Sequence, residues 1–359
     1  MNFQEIKISE LENFINTTLY KNSKNIPITK QRAISQFHNP RADKDDIALI
    51  IATDKDKQII GFIGALPDYI YDTKTKVYWN SCWWVDSKKG KHTAIPLFLN
   101  FLKTCNNKVM FRDMTKKTEQ IIDKLNKFST IKNLDGYRYF LKLNSSEIIP
   151  KKIPTLYSIK PFFKLVDFIF NSFLYLKKPP KKESYQSEKS SSIDEETLNF
   201  IQKFNKKELF KREKKELEWI LDYPWVLKNS LKNKLQYYYF TDTSNSFNTN
   251  LIKVYKNSSE LIGVLFLTNN NGLVKIPYVY FKQGNTSYIV QVIYQYLYKQ
   301  NAISFLTYNK FLNDYIQKNR NPFWYKKKDN RAFVVSKSLV QHINLDFDFQ
   351  DGEGDFVFT

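Results

Sequence analysis

The sequence predicts an α/β (α+β) protein built as two similar halves in tandem. Three observations carry that expectation. At 359 residues the chain exceeds what one hydrophobic core usually organises. Hydrophobic residues make up 42% of it, a composition that buries packed interiors and does not remain disordered. The order of apolar segments in residues 1–150 then returns in residues 194–359.

In the first half, residues 2–8 read as a short strand. Ile8, Leu11, Phe14, Ile15 and Leu19 follow at helical spacing, and a second helix runs from Pro27 to Phe37. Asp46–Thr53 and Gln58–Leu66 are apolar runs across the polar turn 54–57, the signature of a hairpin. Lys76–Val85 reads as a third strand, followed by a loop at 86–91 and a helix over 92–103. Strand 108–112, helix 116–127 and strand 136–143 complete the half. Residues 161–176 are apolar on nearly every side. Basic neighbours make a membrane-surface helix conceivable, but Asp167 favours a buried connector between the halves. Residues 178–193 lose apolar periodicity and collect Pro, Lys, Ser and Glu, so they read as linker, with 151–193 as the whole connection.

The second half predicts helices at 194–208 and 213–222, and strands at 235–241, 250–256, 261–268 and 273–281. A helix at 286–298, a strand at 302–307, a helix at 309–318 and a strand at 331–336 follow. Three local echoes tie the halves together. Gln58-Ile59-Ile60-Gly61-Phe62-Ile63 matches Glu260-Leu261-Ile262-Gly263-Val264-Leu265, and Lys89-Gly90-Lys91-His92-Thr93 matches Gln283-Gly284-Asn285-Thr286-Ser287. Tyr137-Arg138-Tyr139-Phe140 matches Asn330-Arg331-Ala332-Phe333. The tail Asp346–Asp355 fails the spacing of a calcium loop and reads as a terminal hairpin.

The net charge of +20 is almost wholly lysine: 49 of the 56 basic residues are Lys and seven are Arg. Phosphate and base readout favours the planar guanidinium, so the excess points away from nucleic acid. Two cysteines exclude a disulfide framework and a Cys-ligated metal. The start of the chain lacks the apolar run of a signal peptide, and no segment has about 18 consecutive apolar residues. A cytoplasmic location is the expectation.

Strand, hairpin, strand, a basic Gly-containing loop, a helix, a strand, a helix and a last strand is the order of the GNAT superfamily of N-acetyltransferases, which the chain resembles. The resemblance implies two GNAT-like domains, each a mixed, mostly antiparallel sheet flanked by helices. The family's loop, Arg/Gln-x-x-Gly-x-Gly/Ala, falls on Lys89-Gly90-Lys91-His92-Thr93-Ala94, with Lys88 adding charge. Such a loop works because main-chain N–H groups at a helix N-terminus face a pyrophosphate. The implied co-substrate is acetyl-CoA or another acyl-CoA, with no metal. Cys82, Trp83, Trp84 and Val85 would supply backbone contacts to it. His92 stands where the family prefers Gly. Ile122 stands where the family carries a proton-donating Tyr. The second loop, Gln283–Tyr288, has a bulky Tyr and is expected to bind no coenzyme.

Candidate bases are His38, just before the first long strand, Asp68 after Pro67, and Asp113 beside Arg112. The implied activity is acyl transfer from acyl-CoA to an amine, with an amino sugar of a surface glycan as the candidate acceptor. Two alternatives stand beside it. One is a Fem-type transfer of an aminoacyl group from tRNA; the other is a non-catalytic binding protein on the same fold.

Overall fold

The computed structural model describes residues 2–112, 114–175, 185–228, 236–240, 243–257 and 259–358. The chain opens with β1 (Asn2–Lys7). The predicted helix over 8–20 is broken into a 3-10 turn at Ile8–Glu10, α1 (Leu11–Phe14) and α2 (Thr18–Asn22), with Thr17 capping α2 through Tyr20 N. α3 (Lys30–Phe37) is capped by Thr29. The hairpin β2 (Ile47–Thr53) and β3 (Ile59–Ile70) follows, then β4 (Thr75–Val85), α4 (Ala94–Thr104), β5 (Val109–Phe111), α5 (Lys116–Leu125) and β6 (Phe128–Phe140). α6 (Ser145–Lys152), a 3-10 stretch at Pro154–Ile159 and α7 (Lys160–Tyr175) link the halves.

The second half contains β7 (Tyr185–Ser190), α8 (Glu195–Phe204), α9 (Lys214–Asp222) and the short pair β8 (Leu227–Lys228) and β9 (Thr243–Ser244). It continues through β10 (Phe247–Lys256), β11 (Glu260–Asn270), β12 (Leu273–Phe281) and α10 (Thr286–Lys299). β13 (Ser304–Thr307), α11 (Lys310–Lys318) and β14 (Tyr325–Ser336) close it.

The two sheets join into one of twelve strands, ordered β1-β2-β3-β4-β5-β14-β6-β13-β12-β11-β10-β7. The last strand of each half has crossed to the other. β14 pairs with β5 of the first half, β6 pairs with β13 of the second, and the two form a long antiparallel ribbon with each other. This exchange explains why β6 and β14 begin several residues before the predicted strands: the early portion of each pairs only with the late portion of the other. Gly61 and Gly263 occupy equivalent places under the helix of their half. A Cβ would stand 3.3 Å from Leu97 at Gly61 and 2.3 Å from Ile289 at Gly263, so the echoed glycine permits close helix–strand packing.

Three expectations are corrected. Residues 185–190, read as linker, form the polar edge strand β7 against β10. The predicted strand over 235–241 is not formed at 236–240, which hold only a bridge from Tyr237 to Asn25. The terminal hairpin does not exist. Residues 351–358 run as turns and a 3-10 helix through the centre of the molecule, with Glu353, Val357 and Phe358 all about 2% exposed. The tail threads between the fourth strands of the two halves. A Cβ on Gly352 would lie 2.4 Å from the Tyr278 ring of β12, and Gly354 (φ +70°) lies against Trp79 of β4. Gly352→Ala is therefore expected to destabilise the fold by about 1–3 kcal/mol through overpacking, measured by urea unfolding.

Candidate active site

β4 and β5 run parallel only at Tyr78–Val109 and Trp79–Met110, and then diverge. A bulge causes the divergence on the β4 side: Gly64 pairs with Cys82 and Ala65 with Asn80, which leaves Ser81 as the extra residue. From Cys82 to Val85 the strand pairs with β3, and Asn80–Trp83 line a cavity of about 300 Å³. Arg32, Cys82, Arg112, Thr118, Asp355 and Phe356 are among the residues lining it.

Two arginines frame this space. Arg32 lies over the Trp225 ring at 4.0 Å, donates to the Tyr238 hydroxyl, and donates to the Ser81 carbonyl at 3.1 Å. Arg112 directs Nη1 at the carbonyls of Asp351 and Glu353 and stacks on Phe356 at 4.2 Å. Its Nε and Nη2 are buried and have no hydrogen-bond partner among the described residues. A buried guanidinium with two unsatisfied donors is costly unless something accepts from it. Asp355 supplies the carboxylate among the lining residues, and its charge also acts on Arg32 and Cys82. Burial pushes the Cys82 thiol up, which disfavours a thiolate there.

The loop after β4 closes one end of the arrangement. The Asp86 side chain accepts from the amides of Lys88 and Lys89, both at 2.8 Å, and its carbonyl accepts from Gly90 N. Those amides hold the Asp86 carboxyl below its ordinary value. Lys89 Nζ turns to Asp54 at 3.6 Å. Thr93 N donates to Gly90 O, so the donors left to a ligand are those of Lys91 and His92 and the first turn of α4, where Pro96 has none. Gly90 is buried so tightly that a Cβ would stand 2.4 Å from Val85. His92, at the position where the resemblance expects Gly, is exposed. Trp83 stacks on Phe98 of α4 and Trp84 on Phe62 of β3, so both indoles anchor the strand.

The other candidates lie elsewhere. His38 is an exposed C-cap stacked on Tyr223. Asp68 is buried with Arg41, Arg212 and Trp79 Nε1 around it, and is not among the cavity's lining residues. Asp113 lies outside the described residues. Ile122 packs in the core, 3% exposed, and cannot donate a proton. Asp355 and the orphaned Arg112 donors escaped the sequence reading, because the tail read as a terminal hairpin and Arg112 only as the neighbour of Asp113.

The second half repeats the splay. β12 pairs with β13 only over Leu273–Lys275, and its own bulge lies at 276–277. A cavity of about 480 Å³ opens there, beside Glu208, Gln350 and Asp351. Burial pushes Glu208 up to about 8 and Asp351 up to about 6. The free edge is already filled: the Gln350 amide accepts from Val279 N at 3.2 Å and donates to Val279 O at 3.3 Å. The tail thus caps the β12 edge through Gln350, whereas at β4 it only borders the cavity through Asp355 and Phe356, and Arg32 and Asn80 donate to the Ser81 and Cys82 carbonyls.

No family model matches the chain, and no curated protein does. Solved structures do. N-myristoyltransferase from Saccharomyces cerevisiae with bound myristoyl-CoA superposes with a TM-score of 0.52 at 11% identity, covering 93% of this chain and 78% of that one. A second structure of the same yeast protein gives 0.51 at 12% identity, covering 93% and 82%. A putative acetyltransferase from Pyrococcus horikoshii covers 99% and 92% at 11% identity, with a TM-score of 0.47. At these identities the likeness to the two yeast structures establishes the fold alone. The chain has the GNAT fold in two tandem halves. Among the described residues, no helix is long and apolar enough to cross a membrane.

Proposed function

We propose that the protein is an N-acyltransferase that takes an acyl group from acyl-CoA to an amine, using the β4–β5 cleft of its first half. The observation that carries this reading is the asymmetry of the two splayed strands. Gln350 caps the edge of β12, while β4 lines a cavity at Asn80–Trp83 together with Arg112, whose enclosed Nε and Nη2 have no hydrogen-bond partner among the described residues. The yeast neighbours, which carry myristoyl-CoA, support an acyl-CoA as co-substrate.

Bound acyl-CoA would bring a thioester that an amine can attack. The open edge of Cys82–Val85 would hold the extended pantetheine arm by strand-like hydrogen bonds, with Lys91 and the first amides of α4 taking the pyrophosphate. Arg112 would donate to the thioester carbonyl oxygen as negative charge develops on it. Asp355 would accept the proton from the attacking amine. Ile122 would leave the departing thiolate unprotonated, and a thiolate of moderate pKa leaves without an obligatory acid. The acceptor is an amine, and an amino sugar of a glycan precursor remains the candidate.

The test is a melting-temperature series with acyl-CoAs from acetyl to myristoyl. At about 100 times Kd the expected gain is about 2.7 kcal/mol, a rise of several degrees. Lys88→Glu with Lys91→Glu should remove most of that shift without changing the unliganded melting temperature. Unmoved curves for every chain length would defeat the proposal. A second reading, a binding protein without turnover, draws on Asp86, which occupies amides a phosphate would otherwise use. A thermal shift with no release of free CoA thiol in the presence of any amine would favour it.

A further inference from the structure

The segment α6–α7 does not pack between the halves as the sequence suggested. It stands outside, with one face of α7 uncovered. Phe162, Leu165, Phe168, Ile169 and Phe173 are between 49% and 71% exposed. Their spacing places all five on one arc of the helix, along about 16 Å of its length. The opposite arc is what holds the helix down. Asp167 accepts from Ser145 N, Ser145 Oγ and Ser146 N, Asn171 exchanges hydrogen bonds with the backbone of Leu143, and Phe170 meets Trp324 edge-on. Asp167, which argued against a lipid-facing helix, is therefore turned away from the free face. The arm before it continues the apolar surface through Ile153, Tyr157 and Ile159, which are 49%, 67% and 44% exposed.

A contiguous apolar face of this kind marks a contact surface. Its border identifies the partner. Lys151, Lys152 and Lys164 are exposed along the arm, and the sequence after α7 adds Lys177, Lys178, Lys181 and Lys182. The arm's other acidic residue, Glu147, is neutralised by Lys160 at 2.6 Å and Lys151 at 3.8 Å. Aromatic and aliphatic side chains on one face, lysines beside them and, among the described residues of the arm, no carboxylate without a partner match a helix lying in the interface of an anionic bilayer. We propose that α7 and the arm before it dock the protein on an anionic lipid surface, with Phe162, Phe168 and Phe173 entering the acyl boundary. This proposal is independent of the acyl-transfer reading.

Flotation of the full-length protein with phosphatidylcholine vesicles, with and without phosphatidylglycerol, tests it. The expected result is recovery with the anionic vesicles and at least about tenfold less with the neutral ones. Phe168→Glu with Phe173→Glu should lower the anionic fraction by about tenfold while leaving the melting temperature unchanged, since both rings are exposed. If that variant melts early, Lys152→Glu with Lys164→Glu provides the second measurement and should weaken flotation similarly. Failure of the wild type to float would overturn the proposal. So would undiminished flotation of both variants, which would assign binding to the general lysine excess. A wild-type dimer that the Phe168→Glu, Phe173→Glu variant converts to monomer would also overturn it, by showing that a second copy covers the face.

Discussion

Replacing Asp68 by alanine is expected to destabilise the protein by about 3–5 kcal/mol, a large part of the margin of about 5–15 kcal/mol typical of a folded domain. The carboxylate is fully enclosed, at the end of β3. Arg41 Nη1 reaches it at 2.9 Å, Arg212 Nη2 at 2.8 Å and Trp79 Nε1 at 3.2 Å. Arg41 also binds Glu216, and Arg212 binds Glu353 of the tail. The network thus ties β3, the α8–α9 connection and the C-terminal segment into one unit, and truncation leaves two guanidinium groups short of a partner. Burial works to raise the Asp68 pKa, but Arg212 and Arg41 outweigh it and hold the group below its ordinary value. Its contribution is therefore present above the ordinary carboxylate pKa and is lost as the pH falls through the folded-state value. Glu353 runs the other way. Burial lifts it to about 7 despite Arg212, so it favours the folded state below its ordinary pKa, and that help disappears as the pH rises through about 7. Urea unfolding across this range should show a flatter acid limb in Asp68→Ala. In the same variant Glu353, freed from its anionic neighbour, should ionise at lower pH. A variant within about 1 kcal/mol of wild type at neutral pH would show that the two arginines find compensation elsewhere.

Much of the fold was legible because local pattern and packing agree. The β2–β3 hairpin follows from two apolar runs about a polar turn, and the Gly61/Gly263 echo from a close helix approach that leaves a Cβ little room at Gly61 and none at Gly263. The exchange of β6 and β14 was not legible, because alternation along a strand identifies its faces and says nothing about its neighbours. β7 escaped for a different reason. Tyr185-Gln186-Ser187-Glu188-Lys189-Ser190 is an edge strand with exposed polar side chains, and such an edge reads as linker. For α7, an apolar sequence signalled contact without saying with what. At the candidate site, the loop and the open strand could be located through the echoed order of elements. Arg112 and Asp355 could not, since each acquires its role only when the tail folds back across the sheet.

Asp355→Asn is expected to slow amine acylation by about 10²–10⁴-fold while leaving acyl-CoA binding intact. This follows from the proposed role of Asp355 as acceptor of the amine proton: it is the carboxylate among the residues lining the β4–β5 cavity. The substitution keeps the size and polarity of the side chain, so Gly354, packed on Trp79 beside it, should stay in place and the acyl-CoA melting shift should persist. The discriminating measurement compares two acceptors by release of free CoA thiol. Glucosamine is partly protonated at neutral pH and needs a base, whereas hydroxylamine is neutral and strongly nucleophilic. Loss of the base should cut kcat with glucosamine and spare most of the rate with hydroxylamine. Equal losses with both acceptors would mean that Asp355 positions the cleft through Arg32 and takes no proton. Equal retention would move the base to a residue outside the described cavity, with Asp113 the first to replace.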